Sequence, residues 1–135
     1  MEQAIRTATP ITKRFRVTIA QINAGYTIVA ALPGLAYRLV DAFAIAVGGA
    51  VATVTTVDIL ATQAASSVKL VAFAQASLTQ SALLRAGASG AAILANGASF
   101  VANDVNTALT VNKSGSDVAT ATHVDFVVTY TAERP

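Results

Sequence analysis

From Ala119 to Tyr130 the chain alternates with a period of two. The even positions read Thr120, Thr122, Val124, Phe126, Val128, Tyr130 and the odd positions Ala119, Ala121, His123, Asp125, Val127, Thr129. Successive side chains of a β-strand point to opposite faces, so this pattern gathers Val124, Phe126, Val128 and Tyr130 on a core face. A helix would scatter the same residues around its circumference. The apolar run Leu109-Thr110-Val111 precedes it, across the turn residues Asn112-Lys113-Ser114-Gly115-Ser116-Asp117. Together they predict a C-terminal hairpin with Leu109 and Val111 opposite the core set. The face carrying Ala119, Ala121, His123 and Asp125 is left for a partner.

Alternation recurs upstream. Phe15, Val17 and Ile19 alternate with Arg16 and Thr18, Asn23-Ala24-Gly25 supplies a turn, and Tyr26 to Leu32 forms a second strand that Pro33-Gly34 ends. In Ala36 to Val47, one parity holds Tyr37, Leu39, Phe43, Ile45 and Val47, and the other Arg38, Val40, Ala42, Ala44 and Ala46. Asp41 falls on the first, apolar parity. A regular strand would bury its carboxylate, which predicts a β-bulge near Leu39-Val40 that returns Arg38 and Asp41 to one face as a structural pair. Further strands are expected over Val51 to Ala61, Val68 to Ala74 and Ala91 to Ala95, with Gly48-Gly49 and the polar link Gln63 to Ser67 between them. Asn96-Gly97 reads as a two-residue hairpin turn, and Asn103, Asp104 and Asn106 as a polar corner. Ser77-Leu78-Thr79-Gln80 has the spacing of a capping box, so the stretch to Gly87 is either a short helix or an extended connection.

Turn signals thus recur about every eight to twelve residues, and no long amphipathic helix appears. The expected fold is all-β: an antiparallel β-sandwich or jelly-roll-like barrel with an extended N-terminal arm and at most one short helix. At 135 residues, one domain is expected, residues 15–135, behind a basic arm, residues 1–14.

Only 12% of the residues are charged and 54% are hydrophobic; that is about half the charge of an ordinary soluble domain, so something other than water should cover part of the surface. A membrane span is not expected. The charge-free stretch Val17 to Tyr37 is broken by Gln21, Asn23, Gly25, Thr27 and Pro33. Met1 to Ala4 shows no start of a secretory signal, which points to synthesis in a cytoplasm. The alanine rows Ala42, Ala44, Ala46 and Ala72, Ala74, Ala76 offer another cover. Either they pack flat against a second copy, or bulges bring them inside a two-sheet sandwich.

Chemistry is sparse. Without cysteine there is no disulfide, thiolate metal site or cysteine nucleophile. The one histidine, His123, shares a strand face with Asp125, but zinc takes three or four such donors and the pair suits interface hydrogen bonds better than catalysis. No Gly-x-Ser-x-Gly elbow or complete phosphate loop is present, and Asp41, Asp58, Asp104 and Asp125 fall on separate segments. No catalytic residue, cofactor or metal is expected. Arg6, Lys13, Arg14 and Arg16 against Glu2 give the first sixteen residues a charge of +3, on a body of −1. Such an arm suits an acidic partner surface or is simply solvated. For nucleic acid, Arg14-Phe15-Arg16 is the single interleaving of aromatic with basic residues, too little for a binding track.

The basic arm, the opening strand Phe15-Arg16-Val17-Thr18-Ile19, the Ala/Gly-rich middle and the ending Ala121 to Tyr130 together resemble small bacteriophage head decoration, or cement, proteins. The resemblance implies a non-enzymatic virion protein, assembled in the host cytoplasm, that binds the outside of the capsid as a homo-oligomer, commonly a trimer, and clamps neighbouring copies of the major capsid protein. Arg6, Lys13, Arg14 and Arg16 would lie across acidic capsid surface, with Ala42, Ala44, Ala46, His123 and Asp125 between protomers. The alternative is a β-sandwich that recognises carbohydrate or a host surface from a phage fibre or spike; the absence of Trp and the presence of only three Tyr give it few stacking platforms.

Overall fold

The structure, a computed structural model, describes residues 9–134. Nine strands and one short α-helix follow one another as β1 (Ile11–Thr18), α1 (Ile19–Ala24), β2 (Tyr26–Val29), β3 (Ala36–Val47), β4 (Val51–Gln63), β5 (Ser66–Ala74), β6 (Leu83–Arg85), β7 (Ala91–Ile93), β8 (Leu109–Thr120) and β9 (His123–Glu133). They form two sheets of antiparallel neighbours, ordered β1-β9-β3-β6 and β2-β8-β4-β5-β7. Without β7, which is added at an edge, this is the order of an eight-stranded jelly roll, an all-β sandwich as expected.

The predicted C-terminal hairpin does not form. β8 continues through Asn112–Asp117 and belongs to the second sheet, whereas β9 belongs to the first. The chain changes sheets at Thr120, where φ is +75°. Within β8, Gly115 takes φ +87°, and a Cβ there would lie 2.4 Å from Thr55 Oγ1. What looks like a turn sequence is a bulged strand, with register shifts against β4 on either side of Val54. Leu109 and Val111 do face Val124, Phe126 and Val128, but across the core from the opposite sheet; all five are fully buried.

The bulge in β3 forms where predicted, between Leu39 and Asp41. It also exchanges the parities. Before it Tyr37 and Leu39 face inward; after it Ala42, Ala44 and Ala46 do, with at most 1% of their surface exposed. The alanine row therefore lies inside the sandwich, and the interface expected of it is corrected. Small residues fit there because the facing sheet supplies large ones. Phe73 reaches across to Phe126, ring centroids 6.0 Å apart, and Ile59, Leu70 and Leu78 fill the remaining space. On the second sheet Ala72 and Ala74 are half-buried, and Ala76, in the 3-10 turn after β5, is exposed.

Other differences are local. β1 begins at Ile11, so Lys13 and Arg14 belong to the sheet, not to an arm; residues 1–8, with Arg6, lie outside the described residues. Ile19 opens α1 and does not extend the strand, because Thr18 and Gln21 form a reciprocal capping box. The box expected at Ser77–Gln80 does not form. Gln75–Ser77 is a 3-10 turn and Leu83–Arg85 is strand, so the connection is the extended one. Asn96 and Gly97 take the left-handed conformation, but inside a 3-10 segment, not a hairpin.

The polar corner stitches the two sheets. The amides of Asn103 and Asn106 donate to Tyr37 in β3 and to Leu35 just before it, and that of Asp104 donates to Thr62 in β4. The Asp104 carboxylate accepts from the amides of Ala64 and Ala65, at 3.1 and 2.8 Å. Those two alanines, with φ +51° and +63°, form the two-residue turn between β4 and β5.

Candidate functional site

With Val124, Phe126 and Val128 buried inward, the alternate residues of β9 define the outer face of the first sheet, and the pairing registers supply their neighbours. Across the sheet from β1 to β6, one row reads Arg16, Asp125, Ile45, Leu83 and the next Arg14, Val127, Phe43, Arg85. Thr18, His123 and Val47 lie beyond the first row, Thr12, Thr129 and Asp41 beyond the second. The centre of this face is apolar. Phe43, Ile45, Val47 and Val127 are half-buried, and Leu83 is 57% exposed.

Arginines flank the apolar stripe. On the β1 side Arg14 Nη2 and Arg16 Nε and Nη2 all donate to the Asp125 carboxylate, Arg16 at 3.1 and 3.4 Å. Asp125 itself has no exposed side-chain surface, whereas each arginine keeps 61%. Burial pushes the Asp125 carboxyl up, but the hydrogen bonds and charges of Arg16 and Arg14 outweigh it and hold the group below the usual carboxylate range. On the β6 side Arg85 donates to Asp41 at 2.5 Å and remains 65% exposed. The cations are thus presented, Asp125 is covered and Asp41 is half-buried. The structural Arg–Asp pair predicted for Arg38 and Asp41 is replaced by two: Asp41 takes Arg85, and Arg38 takes Glu133 at 2.8 Å.

Of the residues expected at interfaces, Arg14 and Arg16 lie on this face, and Lys13 is exposed on the same edge strand with the opposite parity. His123 and Asp125 share the face but are covered. His123 Nε2 has no hydrogen-bond partner and lies 3.6 Å from Asp125 Oδ1. Asp125 acts by holding Arg14 and Arg16 in place. Of the residues missed in sequence, Phe43, Ile45 and Val47 were announced by the bulge, whose parity exchange turns the large residues after it in β3 outward; Leu83 and Arg85 join them through the pairing of β6 with β3, for which the sequence carries no signal.

On the second sheet Ser114 accepts from Lys69 Nζ at 2.7 Å and donates to Asp58 at 2.6 Å, and Thr56 donates to the other Asp58 oxygen at 2.6 Å. The serine proton is directed at a carboxylate with 1% exposure, so the cluster satisfies a buried acid. Shallow depressions lie beside Leu60, Thr62 and Thr110 and beside Leu32, Pro33 and Asn106. Among the described residues no group of three or more His, Cys, Asp or Glu is placed to hold a metal ion, and no helix is long and apolar enough to cross a membrane. No protein-family model, curated protein or solved structure matches the chain. Its function is therefore read from its own surfaces.

Proposed function

We propose that the protein is a non-enzymatic structural component of a virion, which binds the outside of a phage capsid as a homo-oligomer and stabilises it by bridging subunits. The observation that carries this reading is the outer face of the first sheet, an apolar stripe from Val47 to Leu83 between exposed arginines. An outward-facing row of half-buried Phe, Ile and Val beside an exposed Leu on a folded domain is a packing surface, and arginine is the charged residue most at home at the rim of one. A catalytic role would ask for titratable groups converging on a cleft; the best-connected acid of this face is instead saturated by two arginines.

The capsid as partner, the virion surface as location and the trimer as oligomer come from the resemblance to decoration proteins. The jelly-roll order is compatible with that resemblance and equally with lectins, because one fold hosts many functions. The test is to assemble particles with and without this protein and compare them by cryo-microscopy and by heat resistance. Extra surface density and a higher disruption temperature with the protein are expected. Identical particles would overturn the reading.

A further inference from the structure

β1 is an edge strand. It pairs with β9 on one side, and among the described residues no main-chain hydrogen bond reaches Ile11–Val17 from any other element. An unpaired edge of this length is a template for another strand. We propose that the free edge of β1 docks an extended acidic segment of a partner protein, which joins the first sheet as an additional strand beyond β1.

Charge complementarity selects the occupant. Lys13, Arg14 and Arg16 stand on this edge, and the acid that Arg14 and Arg16 share, Asp125, lies behind them on β9 with no exposed surface. A second copy is rejected. Antiparallel self-pairing centred on the strand sets Arg14 against Arg14, or Arg14 against Arg16, or Lys13 against Arg16, and like charges directly opposite are destabilising. A strand with Asp or Glu at alternate positions meets Arg14 and Arg16 on the outer face, on the side away from Asp125. Its intervening residue then falls beside Phe15, which is only partly buried on the inner side, so an apolar residue is favoured there. The recognised pattern is acidic-apolar-acidic in an extended segment, with main-chain bonds supplying affinity and the two arginines supplying selectivity.

The experiment uses the full chain and labelled peptides matching β1 in length, one alternating Glu with Val and one alternating Lys with Val. Fluorescence anisotropy should show binding of the Glu peptide that weakens with salt, and none of the Lys peptide. Hydrogen exchange should show added protection of amides in β1. N-methylating the Glu peptide on one parity should abolish binding, while methylation on the other parity leaves it nearly intact, since only one parity donates to the edge. Arg14→Gln, which leaves Arg16 on Asp125, should weaken binding about two- to fivefold. No binding at millimolar peptide, equal binding of both peptides, indifference to the parity of methylation, or protection confined to β3 and β6 would each overturn the proposal. These readouts do not depend on a capsid, so they separate this site from the virion reading.

Discussion

At the residue scale Asp125 does the most with the least exposure. Its two arginines lower its pKa in the folded protein below the unfolded value of about 3.9. A carboxylate so held contributes stability that is fully present above the unfolded pKa and is lost as pH falls through the folded one. Glu133, lowered by its hydrogen bond from Arg38, acts in the same direction. Denaturant midpoints measured from pH 7 down to pH 2 should therefore fall on acidification, and less steeply in Asp125→Asn than in the parent. Inside the sandwich Phe126 is fully buried against Phe73, so Phe126→Ala should cost about 3–5 kcal/mol by equilibrium unfolding. Core membership of Val124, Phe126, Val128 and Tyr130 was legible because a period of two is a direct image of the pleat. Ala42, Ala44 and Ala46 were open to two placements, between protomers or inside the sandwich, and the bulge at Asp41 decides for the inside by exchanging the parities of every later side chain of the strand.

At the scale of elements, local turn and cap chemistry was readable where the chain closes on itself and misleading where tertiary pairing decides. Thr18-x-x-Gln21 carries the same signature as Ser77-x-x-Gln80, yet only the first caps a helix. Asn112–Asp117 has turn composition but stays in the sheet, because register shifts on either side of Val54 keep it paired with β4. Composition alone does not say that β8 and β9 serve different sheets. The turn at Ala64-Ala65 shows the converse. Left-handed backbone is costly for alanine, so the polar link read at Gln63 to Ser67 gave no sign of a two-residue turn, and the Asp104 carboxylate holds the two amides from a distant loop. Replacing Ala64-Ala65 by Asn-Gly, which accept that conformation readily, should stabilise the domain by about 1 kcal/mol. Asp104→Ala should destabilise the parent, and both changes are measurable by urea unfolding.

For the whole molecule, fold class was legible and the surface that carries the proposed function was not, because exposure depends on which sheet lies opposite. If the outer face is a packing surface, Phe43→Ser with Ile45→Ser should lower the unfolding midpoint less than Phe126→Ala does, because both side chains are only half-buried, while abolishing self-association or particle binding, as read by light scattering and co-sedimentation. Loss of stability with association intact would place the two residues in the core after all. The topology also bears on how the chain acquires its structure. Among the described residues β1 has one strand partner, β9, with Ile11 beside Tyr130, so an early strand waits for a late one. Pairings so distant in sequence slow folding toward the millisecond-to-second range. During that wait the sheet is missing its central pairing, and low charge gives the nascent chain little protection from its neighbours. High expression at reduced temperature, or with a chaperone present, is the practical consequence.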